Sequence, residues 1–261
     1  MPDAPGGLWP DDLFNFAYIP SMDEQLGSLS GFAEPEDWGY QNTPTEHPYP
    51  ILFNYIRYTY RRVAEEQKIA ITEDGQFSCF NTGLVTANEE SLYAAFETNR
   101  KEGAQPWFFR NWFRRGQWEL TKFSELPELA HYFDDPTCLV FDTRKDFRVN
   151  IEHIITETPR ERFPEPYMSM ADFALQTVLK GSIENARERV RRSYKTGIPQ
   201  YYQGRVQLLL PLCLMKPQKA DLALVVERYP AFYRAATCLT LDMAYNNARQ
   251  IARPDRDWLQ P

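Results

Sequence analysis

At 261 residues, with 43% hydrophobic and 15% aromatic residues, the chain has enough apolar mass for a substantial core, which excludes disorder along its whole length. A formal charge of −7 and a pI near 5.2 exclude indiscriminate polyanion binding. No apolar run reaches the roughly 18 residues that a membrane-spanning helix needs.

The charge is uneven. Residues 1–50 hold nine Asp or Glu and no Lys or Arg, so residues 51–261 carry 29 basic against 27 acidic side chains. The opening MPDAPGGLWPDDLF lacks the basic start and apolar segment of a secretory signal, so a soluble cytoplasmic protein with no membrane partner is expected. Residues 1–50 are also proline-rich, with isolated apolar points at Leu13, Phe14, Phe16, Ile19 and Trp38. Such a stretch is expected to lie as an acidic strap along a domain.

Leu52–Gln67 reads as the first helix, with Leu52, Ile56, Thr59, Val63 and Ala64 on its inner stripe. Lys68–Thr72 and Phe77–Thr86 read as a hairpin about Glu73-Asp74-Gly75. Within the second strand, Asn81-Thr82-Gly83 interrupts the apolar pattern, as a close approach by backbone or ligand would, or a tight turn. Asn88-Glu89-Glu90 resembles a cap for a helix running to about Arg100. Trp107–Trp118 interleaves aromatics with Arg110, Arg114 and Arg115, which suits base stacking or an alternating strand.

Asp146–Ile155 alternates as a strand would, placing Arg148 and Asn150 on one face, with His153 following this polar set as a candidate to join them. The proline- and charge-rich stretch 156–166 marks a candidate subdomain break. Two helices should follow, Met170–Leu179 and Ile183–Lys195, the second with a basic outer face that includes Arg187, Arg191 and Arg192. The last third reads as strand, strand, strand and closing helix: Arg205–Met215, Leu222–Val226, Thr237–Leu241, then 242–253 stopped by Pro254. The class expected is α+β, an antiparallel or mixed central sheet flanked by helices. The expectation is a single compact domain over 51–261 behind the 1–50 strap.

Cys79, Cys138, Cys213 and Cys238 are scattered beside apolar runs and read as buried free thiols, and the three histidines lie far apart. No cofactor is expected. A divalent metal is open only through Asp142, Asp221 and Asp242, which have no diagnostic spacing. No nucleophile elbow, phosphate loop, HExxH or dinucleotide fingerprint is present.

The chemistry that remains suits an anion. Asn81, Thr82 and Gly83 offer small side chains and backbone amides. Asn246, Asn247, Arg249 and Arg253 offer donors on the closing helix, which Asp242 can cap, with Lys195 and Gln200 bracketing Gly197-Ile198-Pro199 at the mouth of the strand that follows them. Arginine forks fit phosphate oxygens and asparagine fits a base edge. Should the chain be catalytic, His153 or Asp242 is expected to move protons during phosphoester or glycosidic cleavage.

At Arg189–Gln200 (RVRRSYKTGIPQ), Val206–Leu214 (VQLLLPLCL), Lys219–Glu227 (KADLALVVE) and Leu239–Trp258 (LTLDMAYNNARQIARPDRDW), the chain resembles a bacterial family, domain of unknown function 3825. That family is also called OHA for its association with OST-HTH (LOTUS) domains. Asn81–Thr86, Asp146–Ile155 and the entry at Phe14 carry the resemblance further, over about residues 13–259. The association implies RNA or nucleotide biology.

The first expectation for function is therefore a nucleotide- or RNA-recognising protein whose partner is a nucleotide or single-stranded RNA. The alternatives are a stand-alone hydrolase or transferase acting on a nucleotide, and a non-enzymatic scaffold or regulatory partner with the acidic leader as its arm.

Overall fold

The computed structural model describes residues 9–101, 104–254 and 258–259. The chain is α+β, with helices and two five-stranded sheets that each mix parallel and antiparallel pairs. It divides into two units, the first containing residues up to Tyr40 and Thr45–His131, the second Gln41–Pro44 and the chain from Tyr132 onward. The 156–166 stretch lies inside the second unit. The first eight residues of the acidic leader fall outside the described residues.

In the first unit, residues 13–32 are not an extended strap. They form α1 (Leu13–Phe16), β1 (Ala17–Tyr18) and α2 (Met22–Phe32), because Leu13, Phe16, Leu26 and Leu29 all bury completely or nearly so. Next come α3 (Pro50–Glu65), β2 (Ala70–Ile71), β3 (Phe77–Val85), β4 (Ser91–Thr98) and β5 (Trp107–Arg114). The sheet order is β1-β5-β4-β3-β2, parallel only at β1–β5. The helix α3 runs where the apolar stripe predicts, starting on Pro50 with Ile56, Thr59, Val63 and Ala64 buried.

The expected helix over 88–100 is instead the central strand β4. Leu92, Ala94 and Phe96 bury on one face while Tyr93 and Ala95 join Cys79, Leu120 and Phe123 on the other. A strand covered on both faces loses its alternation and looks like a helix in sequence. On β5, Ala95 pairs with Asn111 and Phe96 with Phe109, so Arg110 is an extra, exposed residue. That bulge returns Trp112 to the side of Trp107 and Phe109, and the aromatics become core instead of a stacking surface.

The second unit holds β6 (Asp146–Arg148), α4 (Ile151–Glu157), α5 (Asp172–Arg192), β7 (Ile198–Tyr202), β8 (Arg205–Leu212), β9 (Leu222–Arg228), β10 (Phe232–Leu239) and α6 (Leu241–Arg249). The order β6-β10-β9-β8-β7 is antiparallel except for β6 beside β10. Leu208, Leu210, Leu212, Leu222, Leu224 and Val226 pack against Leu175, Leu179, Ile183, Ala186 and Val190 of α5. The alternate residues Leu209, Ala223 and Val225 bury on the opposite face, and α6 packs against β7 and β9.

Two local expectations fail here. The predicted strand Asp146–Ile155 ends at Arg148, because Asn150 accepts from the His153 backbone N–H (3.2 Å) and caps α4. The two helices expected over 170–195 are one, α5. Gly181 sits inside it, and Ser182 does not cap but donates its hydroxyl to the Cys213 carbonyl (3.3 Å).

Of the thiols, Cys79 and Cys238 are buried and Cys138 and Cys213 half-buried, all free. Burial pushes the Cys238 thiol up to about 12 and raises Cys79 as well, so both stay protonated and unreactive. No helix among the described residues is long and apolar enough to cross a membrane.

Candidate functional site

The residues expected to bind a ligand fall into three sets. Asn81, Thr82 and Gly83 lie in the first unit, on a bulge where β3 and β4 shift register between Asn81 and Val85. Their polar atoms are used locally: the Asn81 Oδ1 accepts from the Gly83 N–H (3.0 Å) and the Thr82 hydroxyl donates to the Leu92 carbonyl (2.7 Å). Gly83 adopts φ +74°, and the group in close approach to it is the Tyr55 hydroxyl, which donates to the Thr82 carbonyl (3.0 Å). The bulge is thus filled by the protein's own α3.

A second set is surface structure in the second unit. Arg148 pairs with Asp146 (3.0 Å) and lies over the Phe232 ring at 3.8 Å. His153 is exposed on α4, 4.0 Å from Glu157. On α5, Arg187 pairs with Glu184 (3.8 Å) and Arg191 with Glu188 (2.6 Å), so two of the three predicted patch cations are balanced within their own helix and Arg192 remains exposed beside them.

The third set comes together around α6. Thr240, not Asp242, caps this helix, accepting from Met243 N–H (3.4 Å). Asp242 is 1% exposed and accepts from the backbone N–H of Gln41 (3.2 Å) and Asn42 (3.1 Å) and from the Asn42 side chain. Its role is to anchor the Gln41–Pro44 segment, and it shares no hydrogen bond or ion pair with His153. Further along α6, Asn246 is buried and Arg249 stands in the last turn, where a cation suits the helix dipole.

Asn247 reaches across to β7, donating Nδ2 to the Gln200 carbonyl oxygen at 3.1 Å. Gln200, 1% exposed, donates its own Nε2 to Gln207 Oε1 on β8 at 2.8 Å. The pairing of Gln200 with Gln207 follows from the β7–β8 register, in which the two stand directly opposite. Gln207 has no singular place in the sequence pattern; only its strand partner marks it.

Lys195 and Arg253 line one cleft of about 390 Å³. Its remaining walls are largely apolar: Leu139 and Val140 on one side, Ile198 and Pro199 at the start of β7, Ala248 and Ala252 on and just beyond α6. Tyr194 at the rim is 67% exposed. Gly197 also lines it, and an added Cβ there would come within 3.3 Å of Phe141. The Trp258 indole donates to the Thr196 carbonyl (2.9 Å), closing the chain back onto this turn. Among the described residues Arg253 makes no ion pair, and no group of three or more His, Cys, Asp or Glu is placed to hold a metal.

Next to the cleft wall, Arg144 donates to both Asp142 carboxylate oxygens (2.8 and 3.0 Å), and these bonds hold the Asp142 carboxyl down at about 2 against an ordinary 3.8. A depressed folded-state value means this pair stabilises the fold above the ordinary carboxylate range and stops doing so as pH falls through about 2. Urea midpoints measured from pH 4 to pH 2 should therefore fall less steeply for Asp142→Asn than for the natural protein. Identical slopes would show the pair to be without influence.

No curated protein matches the chain, and no solved structure does. A family described as Domain of unknown function (DUF3825) matches residues 29–258, from within α2 through both units and the cleft around Lys195 and Arg253, and the chain belongs to that family.

Proposed function

We propose that the protein recognises a nucleotide or the end of a single-stranded RNA, in the cytoplasm, with its phosphate held between Lys195 and Arg253. The observation that carries this reading is the shared cleft: two cations, far apart in sequence, line one cavity whose other walls are mostly apolar. A guanidinium and an ammonium supply the charge-assisted donors that phosphate oxygens accept. The apolar walls suit a ribose or base, and the exposed Tyr194 ring offers a stacking face. The RNA association that the family resemblance implies points the same way.

Nothing in the geometry favours the hydrolase or transferase alternative. His153 is exposed on α4, and Asp242 is committed to three donors from Gln41 and Asn42.

The test is binding of a labelled uridine hexanucleotide by fluorescence anisotropy at several salt concentrations. Lys195→Ala and Arg253→Ala should each weaken binding about tenfold and each lower the salt slope by about 0.7. A doubly substituted protein that keeps its circular dichroism spectrum and binds like the natural one would refute the assignment. Arg191→Ala, already balanced by Glu188, should change little.

A further inference from the structure

A second cleft, of about 400 Å³, opens in the second unit among the 133–138 segment, the start of β8 and the end of β9, with Arg205, Gln207, Arg228, Tyr229, Phe133 and Cys138 in its lining. The three side-chain amides lead into it. Asn247 donates to Gln200, and Gln200 donates to Gln207 Oε1. Buried side-chain amides are normally hydrogen-bonded at both ends, and Gln200 is. Its carbonyl is taken by Asn247, so it presents only N–H to Gln207. The Gln207 carbonyl is thereby turned inward, and its NH2, which has no partner among the described residues, is the end left for the cleft.

The neighbouring charges are not equivalent. Arg228 is occupied by Asp135 (3.5 Å) and Thr137 (3.1 Å), and Glu227 by Arg234 (2.6 Å) and the Tyr229 hydroxyl (3.1 Å). Arg205, two residues before Gln207 on the same face of β8, makes no ion pair among the described residues. Asp134 also lines the cleft and has an interaction of its own within the protein, so the groups left open are donors, an oriented amide and a guanidinium. Beside them the Tyr229 ring is held by Phe232 in a parallel stack at 4.7 Å and by the Arg234 guanidinium 5.4 Å from its centroid.

We infer that this cleft reads the keto edge of a nucleobase in single-stranded RNA and takes uracil in preference to cytosine. The inference rests on the nucleotide reading above and names its specificity. Uracil offers a carbonyl oxygen at position 4, where the Gln207 NH2 can donate. Cytosine places an amino group there, so donor meets donor and both lose a partner. The flat ring suits the wall formed by Tyr229 and Phe133.

Anisotropy with uridine and cytidine hexanucleotides tests it. The uridine strand should bind about tenfold more tightly. Gln207→Glu, which replaces the donor by an acceptor, should abolish or reverse that preference, and Arg205→Ala should weaken both strands. Equal affinity for the two strands, or a preference unchanged in Gln207→Glu, would overturn the inference while leaving the phosphate site standing. A preference that tracks Gln207, with Lys195→Ala and Arg253→Ala binding normally, would uphold it and remove the phosphate site instead. Failure of either strand to bind would remove both. Thermal stabilisation by succinate that is lost in Arg205→Ala, with none from uridine strands, would assign the donors to a carboxylate and overturn the base reading.

Discussion

Tyr233→Ala is expected to lower stability by about 3–5 kcal/mol, seen as a lower urea midpoint with an unchanged slope. Tyr233 is fully buried in β10, and its ring stacks on Phe141 with centroids 4.4 Å apart and planes 17° from parallel. Its hydroxyl accepts from the Asp142 N–H at 3.0 Å. Removing the ring leaves a cavity in the α5-facing core and frees the 139–142 segment, two of whose residues wall the Lys195–Arg253 cleft. Uridine hexanucleotide binding should therefore weaken in Tyr233→Ala at temperatures where the protein is still folded. Tyr233→Phe keeps the stack and loses one hydrogen bond, so about 1 kcal/mol is expected. Equal midpoints for the alanine and phenylalanine variants would show that the stack contributes nothing.

Gly83→Ala is expected to cost roughly 2–4 kcal/mol, from two sources. At φ +74° a side chain is strained whatever its surroundings, and an added Cβ would lie 2.6 Å from the Tyr55 hydroxyl. The two contributions separate in a double-mutant cycle. Tyr55→Phe alone loses its bond to the Thr82 carbonyl, about 1 kcal/mol. In the double variant the oxygen that clashes is absent and only the backbone strain remains. The combined loss should thus fall short of the sum by about 1 kcal/mol or more. Strict additivity would mean that the hydroxyl moves aside at no cost.

The same residues show how far local pattern reaches. The α3 stripe was legible because one face alone meets the core and the opposite face carries Asn54, Arg57, Arg61 and Glu65, so periodicity and burial coincide. The strands of the last third were legible as short apolar runs with turns between them. Within the site, Lys195, Gln200, Asn247 and Arg253 stand out as polar groups beside apolar runs, and the structure brings Gln200 to Asn247 and Lys195 to Arg253's cleft. The expected catalytic residues did not join them. Asn150 was read with period two and His153 as following the same polar set, but Asn150 caps α4 and His153 lies within that helix. Asp242 was read as a cap, and a segment two hundred residues away took its oxygens.

By itself the sequence determined the α+β class, the closing helix and the polar residues available near it, because these depend on composition and on neighbours a few positions away, while the family followed from resemblance over long stretches of the chain. Only the tertiary structure decided that 91–98 is a strand, that Gly83 faces Tyr55 and that Gln207 completes the amide chain. Each of those depends on what covers a second face or stands opposite across a sheet. A chain read in one dimension carries the period of its side chains but not the identity of the surface they meet.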